Sequence, residues 1–429
     1  MPRNRNSQRI AGRKWAAVCC SVIALGGLLA ADWPQWRGPD RDGISKEKGL
    51  LQEWPEAGPK LVWQVKDLGD GYSTPAVAGG RIFLINNKGL EDEYVQALSV
   101  DGGKKLWSTH LGKVGNPDQR PSYPCARSTP TVDGDLVYAL GSDGDLVCVD
   151  AAKGEVKWKK SLREDFGGKP GVWAYSESPL VDGDAVVVTP GGKEATMVAL
   201  NKKTGEVIWK GQSQLPDGET AGYASIIIVN AAGHKQYVQF CGKGVVGVDA
   251  KTGKFLWRYD HTSGTANIGS PVALGEFIYT GTSNTGGGMV KLSADADGVK
   301  ADEVYFNKKL PSAIGGSVIV GDYIYGSTRE LIQCVDAKTG EVKWTKERGM
   351  APSSFCYADG RLFLHGEKEG DIAILEATPE AYRELGHVTP PELPSDRKGK
   401  AWEYPVVADG KLYIHDWGML WCYDVKAGG

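Results

Sequence analysis

The chain has 429 residues, 24% of them charged and 41% hydrophobic, with a formal net charge of -3. That balance excludes a wholly disordered chain, a collagen-like chain and a many-span membrane protein. It also argues against a nucleic-acid or anionic-membrane partner held by a general electrostatic field. With 58 glycines and 14 tryptophans against 5 methionines, the composition points to many tight turns and therefore to many short strands.

The first residues carry Arg3, Arg5, Arg9, Arg13 and Lys14 and no acid, followed by an uncharged stretch from Trp15 to Leu29 and then Ala30-Ala31-Asp32. This is the layout of a secretory signal peptide, and its apolar stretch is shorter than the ~20 residues that span a bilayer. Residues 1–31 are therefore expected to be cleaved, placing the protein in the periplasm or outside the cell without a membrane span. Cys19 and Cys20 would leave with the leader. Five bases and no acid would leave too, taking the net charge to -8.

From residue 60 onward one unit recurs. Val149-Asp-Ala-Ala-Lys-Gly-Glu-Val-Lys-Trp158, Val248-Asp-Ala-Lys-Thr-Gly-Lys-Phe-Leu-Trp257 and Val335-Asp-Ala-Lys-Thr-Gly-Glu-Val-Lys-Trp344 share one spacing, and units ending at Trp107 and Trp209 keep it. About twenty residues earlier each unit has a hairpin signal such as Val132-Asp-Gly-Asp-Leu-Val-Tyr138, where glycine supplies the positive φ that the turn needs. Each unit then reads as four strands, and a period of this length is the mark of a radial or stacked repeat architecture. Trp63, Trp107, Trp158, Trp209, Trp257 and Trp344 are read as structural residues filling the wedge between neighbouring sheets. Tyr305 replaces the tryptophan in the fifth unit, the seventh ends in an irregular stretch from Ala377 to Leu393, and the eighth stops after Tyr423-Asp424 without a fourth strand. The orphan Lys60-Leu-Val-Trp-Gln-Val65 supplies that strand. The expected fold is all-β: an eight-bladed β-propeller of four-stranded antiparallel blades, closed by the N-terminal strand.

The unit Ala/Val-x-Asp-x-x-Thr-Gly-x-x-x-Trp resembles the repeat of quinoprotein propellers, the pyrroloquinoline quinone (PQQ)-type repeat. The resemblance covers nearly all of Leu61 to Val425. The opening Asp32-Trp-Pro-Gln-Trp-Arg-Gly-Pro-Asp-Arg-Asp-Gly43 is similar to the lead-in of exported bacterial proteins of this class, which implies a capping segment at 32–59 and a single propeller domain at 60–429. Two subclasses share the repeat. One contains PQQ-dependent alcohol, glucose and polyvinyl-alcohol dehydrogenases; the other contains BamB-like non-catalytic propellers, scaffolds of outer-membrane barrel assembly. Fold alone does not choose between them.

PQQ is a flat tricarboxylate, so its site needs cations, usually Ca²⁺ on oxygen ligands, and flat walls. In a propeller the natural place is the axial funnel, fed by residues just before each first strand, among them Tyr72 and Ser73, Arg127 and Ser128, Tyr175 and Glu177, Tyr223, Asn267, Ser353 and Ser354, and Trp402 and Glu403. Arg127, Glu177 and Asn267 offer a cation, an acid and an amide as cofactor-binding candidates, and Arg329, on a turn between second and third strands, could add a second cation. Against a cofactor, the only vicinal cysteine pair is Cys19-Cys20, no pocket-building insertion separates the blades, and no Cys-x-x-Cys-His haem motif occurs. No nucleophile and base pair is visible.

Asp133-Gly-Asp135 and Asp143-Gly-Asp145 sit where hairpins are required, and the 6 histidines are dispersed, so no metal site is expected. Gly286-Gly-Gly288 reads as a turn. Cys148, Cys334 and Cys422 read as small core residues, and no disulfide is assigned. The expectation is a monomeric, exported, non-catalytic binding or scaffold module of a bacterial envelope, without cofactor, taking an envelope protein or a small-molecule or polymer ligand. The alternative is a PQQ- and Ca²⁺-dependent dehydrogenase acting on an alcohol or polyvinyl alcohol.

Overall fold

A computed structural model describes residues 1–2, 32–116, 118, 124–296, 298–347, 349–393, 397 and 400–428. The chain divides into two compact units, Met1–Ala30 and Ala31–Gly429. The expected leader, with Cys19 and Cys20, lies outside the described residues except for its first two.

The regular structure of the second unit is nearly all strand and forms eight separate sheets, each built on a four-stranded antiparallel blade. The innermost strands, in chain order, are Ala76–Ala78, Thr131–Asp133, Leu180–Asp182, Ile227–Ala231, Val272–Leu274, Ser317–Val320, Ser353–Ala358 and Val406–Ala408. They belong to blades 1 to 8. Each runs through an Asp-Gly, Gly-Asp, Gly-Gly or similar hairpin into a second strand. Blade 8 takes its outermost strand from Lys60–Val65, which pairs antiparallel with Met419–Asp424 and sets Trp63 opposite Cys422. The ring is thereby closed and no blade is left with a missing strand.

The hydrophobic core lies between blades rather than at the centre. Phe240 and Trp257 of blade 4, for example, pack with Ile278 and Val290 of blade 5. The repeated Asp-x-x-Thr-Gly-x-x-x-Trp pattern explains how neighbouring blades are joined. Asp249 Oδ1 accepts the backbone N–H groups of Lys251 and Thr252 at 3.2 and 3.0 Å, which folds the turn, and Gly253 follows with φ +71°. A Cβ on Gly253 would stand 2.4 Å from the ring of Trp209 in the preceding blade, so the glycine leaves the seat for that tryptophan.

The indole N–H groups complete the joint. Trp63 donates to Val100 O at 3.0 Å, Trp107 to Ala151 O at 3.1 Å, Trp158 to Lys202 O at 3.0 Å and Trp209 to Ala250 O at 3.3 Å. Trp344 donates to Thr378 O at 2.8 Å, and Tyr305 makes the equivalent contact through its hydroxyl to Ala337 O at 2.9 Å. Each of these carbonyls belongs to the next blade around the ring. Trp257 differs, donating to Gln236 Oε1 of its own blade at 2.6 Å.

Two stretches fold otherwise than the sequence suggested. The irregular run in blade 7 contains a fourth strand, Glu384–Val388, paired with Ile372–Glu376; its polar sequence and missing tryptophan hid it. Gly286–Gly288 is the start of strand Gly286–Asp295 rather than a turn. Side chains at Gly287 and Gly288 would collide with the hydroxyls of Tyr279 and Tyr259, so the glycines make room for two large neighbours inside a sheet. The six described cysteines, Cys125, Cys148, Cys241, Cys334, Cys356 and Cys422, are buried. Among the described residues no helix is long and apolar enough to cross a membrane.

Candidate functional site: an aromatic axial cavity

The inner strands of neighbouring blades touch one another, so the connections that enter them converge on the axis. There they line a cavity of about 260 Å³. Tyr72 comes from the entry to blade 1, Arg127 from blade 2, Trp173 and Ser176 from blade 3, and Tyr223 and Ser225 from blade 4. Ala266 and Ile268 come from blade 5, Ile314 from blade 6, and Trp402 and Tyr404 from blade 8.

Trp36 completes the lining from outside the blades. Its segment runs along the inner strands: Trp33 exchanges backbone hydrogen bonds with Val77, Val132 N–H donates to Pro34 O, and Tyr357 N–H donates to Gly43 O. Ile44–Ser45 adds a parallel strand to the inner edge of blade 7. Two fully buried arginines anchor the segment, Arg37 on Ser317 O and Arg41 on Ser178 O at 2.8 Å and Pro179 O at 3.0 Å. Because most of these partners lie further along the inner strands than the lining residues do, Trp36 stands at the inner end of the cavity.

Three aromatic pairs frame the walls. Trp36 meets Tyr404 edge to face with centroids 4.5 Å apart, Tyr72 meets Trp402 at 4.6 Å, and Trp173 meets Tyr223 at 5.6 Å. Several of their polar atoms are engaged by protein: Trp36 Nε1 donates to Ser270 Oγ at 3.1 Å, Tyr404 Oη donates to Ile314 O at 3.2 Å, and Tyr223 Oη accepts from Trp173 N–H at 3.3 Å. The cavity therefore presents ring carbon. Arg127 is the single cationic side chain among the described lining residues; it donates to Trp173 O at 2.9 Å and lies 6.0 Å from the Tyr72 ring centroid.

The other candidates named from sequence lie elsewhere. Along an extended segment successive side chains point to opposite sides. Glu177, between the lining Ser176 and the blade, is buried, accepting from Thr189 N–H at 2.7 Å and Thr189 Oγ1 at 3.0 Å. Asn267, between the lining residues Ala266 and Ile268, donates to Cys241 O at 2.7 Å and accepts from Gly264 N–H at 2.9 Å. Arg329 is exposed and donates to Asn284 Oδ1 at 2.7 Å. The structure thus brings Arg127 to the cavity with Tyr72, Tyr223 and Trp402, and turns Glu177, Asn267, Tyr175 and Glu403 away from it. Trp36, Trp173, Tyr404 and the two isoleucines escaped the sequence reading. The signal for Tyr404 was a one-residue register, and for Trp36 it was the Trp-Pro-Gln-Trp-Arg opening.

Behind the wall sits a set of buried carboxyls. Burial pushes Glu93 up to about 7 and Glu177 up to about 8, although hydrogen bonds from Ser142 and Thr189 respectively oppose the rise. Burial and the neighbouring Asp416 carboxyl raise Glu403 far above the ordinary range; Glu403 Oε1 accepts from Trp417 N–H at 3.0 Å. Burial lowers His365 and His415 to about 4. Their Nδ1 atoms face carbonyl oxygens, Glu403 O at 3.0 Å and Ser73 O at 2.9 Å, which assigns the ring proton to Nδ1. Among the described residues no three His, Cys, Asp or Glu side chains gather as a metal site.

Residues 44–171 and 91–346 match the PQQ-repeat family model described as outer membrane protein assembly factor BamB. The chain belongs to this BamB-like family of PQQ-repeat propellers. The outer membrane protein assembly factor BamB of Yersinia pestis is 27% identical over 367 residues, 83% of this chain and 78% of that protein. The glycerol dehydrogenase large subunit of Gluconobacter oxydans is 24% identical over 276 residues, 55% of this chain and 36% of that protein. The first curated relatives are matched over only about a third of their own length, 31 to 36%. The solved quinohemoprotein alcohol dehydrogenase of Comamonas testosteroni superposes with a TM-score of 0.66 at 13% identity, covering 93% of this chain and 81% of that one, and so shares the fold. The relatives therefore include proteins named as assembly factors and proteins named as dehydrogenases, and the cavity must discriminate between them.

Proposed function

We propose that the protein is an exported, non-catalytic binding or scaffold propeller of a bacterial envelope: residues 1–31 are a cleaved leader, 32–59 cap one end of the axis, and 60–429 form one propeller acting as a monomer. The observation that carries this reading is the lining of the axial cavity. A flat tricarboxylate with Ca²⁺ needs several cations and a set of oxygen ligands at one place. The described lining supplies one cation, Arg127, and no carboxylate or amide. The acid and amide that could have served, Glu177 and Asn267, are committed to backbone and hydroxyl partners inside the blades. These residues do not fit PQQ. The wider match to the Yersinia assembly factor than to the glycerol dehydrogenase subunit supports the same side.

The second reading, a PQQ- and Ca²⁺-dependent dehydrogenase, draws on one observation, the guanidinium of Arg127 among flat aromatic walls. Titrating the purified protein with PQQ and Ca²⁺ separates the two. Absence of a stoichiometric quinone absorbance at micromolar cofactor, with no dye-linked oxidation of glycerol or ethanol, is the expected result; stoichiometric binding with oxidation would overturn the binding-module reading.

A further inference from the structure

We infer that the axial cavity takes a small, flat aromatic ligand of about two fused rings, an inference that rests on the reading of the cavity as a binding site rather than a cofactor site. Its size sets the scale: an apolar protein cavity of ~150 Å³ accepts benzene, and this one holds about 260 Å³. It lies just under the ~300 Å³ at which drug-sized sites begin, so the guest is small.

The walls select its shape and polarity. The pairs Trp36–Tyr404, Tyr72–Trp402 and Trp173–Tyr223 place rings on several sides of one space. Trp36 and Tyr404 have their polar atoms tied to Ser270 and Ile314, leaving ring faces and edges for a guest. Flat π systems gain from such edge and offset contacts beyond the area they bury. A sugar would also stack on these rings, but most of its hydroxyls would then be buried against carbon, with Ser176, Ser225 and Arg127 as the polar side chains beside them. A methylated ammonium would meet a guanidinium in the wall and, among the described lining residues, no carboxylate. An aromatic ring system with one polar substituent matches the described lining.

Isothermal titration with 2-naphthoate, with tryptophan fluorescence as a second readout, tests this on the full protein, with methyl glucoside and PQQ plus Ca²⁺ as parallel ligands. One-to-one naphthoate binding is expected, weakened tenfold or more by Ala266→Trp, which fills the cavity from a wall position outside the anchoring segment, and by Trp36→Ala. Binding unaffected by Ala266→Trp, or no binding of naphthoate at millimolar concentration, overturns the inference. Methyl glucoside binding without naphthoate binding overturns the aromatic class and leaves the non-catalytic reading standing. Stoichiometric PQQ with Ca²⁺ overturns the underlying reading itself.

Discussion

Glu177 bears directly on the claim that the cavity wall is backed by protonated carboxyls. Its pKa rises from 4.5 to about 8, chiefly through burial. A carboxyl whose pKa is higher in the folded than in the unfolded chain contributes its full stabilisation below the unfolded value, and that contribution is lost as the pH climbs through the folded value. At about 1.36 kcal/mol per pH unit, the span from 4.5 to about 8 corresponds to about 5 kcal/mol. Unfolding entropy of about 2.1 cal/mol/K per residue gives roughly 0.8 kcal/mol/K for a folded unit of about 400 residues, so the loss amounts to about 6 °C in Tm. Glu177→Gln removes the titration and keeps an oxygen for Thr189 N–H. Thermal unfolding followed by tryptophan fluorescence at pH 5 and pH 9, an interval that takes in about 4 kcal/mol of that linkage, should show the wild type losing about 5 °C more than the variant. The other buried carboxyls, Glu93, Glu403 and Asp416, contribute to both proteins and cancel in the difference. Midpoints that move in parallel, within about 1 °C of each other, would refute the placement of a protonated Glu177 in the wall.

The histidines act with the opposite sign. His415, lowered from 6.5 to about 4, stabilises fully above 6.5 and less as the pH falls toward 4, a loss of about 3 kcal/mol; His415→Asn should flatten the acid limb of a stability-against-pH curve measured by urea unfolding. Gly253→Ala should cost about 2–4 kcal/mol, combining a positive φ with displacement of Trp209. Gly275→Ala, where φ is +59° and nothing lies within 4 Å, should cost only the backbone part, about 1 kcal/mol by the same urea assay. Trp344→Phe deletes the donor to Thr378 O at 2.8 Å and should cost about 1 kcal/mol or a little more. Arg41→Met strands the carbonyls of Ser178 and Pro179; a cost of about 3 kcal/mol is expected, together with faster proteolysis within residues 32–59.

The blades were readable because their chemistry is local. An Asp, a Thr and a Gly within five residues fold the turn, and the same Gly seats the tryptophan of the preceding blade, so one motif records both a hairpin and a joint. Blade 7 lost its outer strand to the reading because Glu384-Leu-Gly-His-Val388 carries neither mark. The cavity obeys a different logic. Its residues sit in short connections with no period long enough to fix which side faces the axis, and a register of one separates Glu403 from Trp402 and Tyr404. Trp36 reaches its partner Ser270 across 234 positions of chain, so no local pattern could place it. The polar residues drew attention as site candidates for the same reason they are buried. At the entrance to each blade the ladder ends and leaves backbone N–H groups without strand partners. Glu177, Asn267 and Glu403 accept from those groups, in Thr189, Gly264 and Trp417. Meeting that need takes the acids and amides out of the axis, and the described residues that face the cavity are mostly aromatic and aliphatic. A propeller that braces its entrances with buried carboxyls thereby builds an apolar cavity, whereas one that turned the same groups inward would build a site for cations.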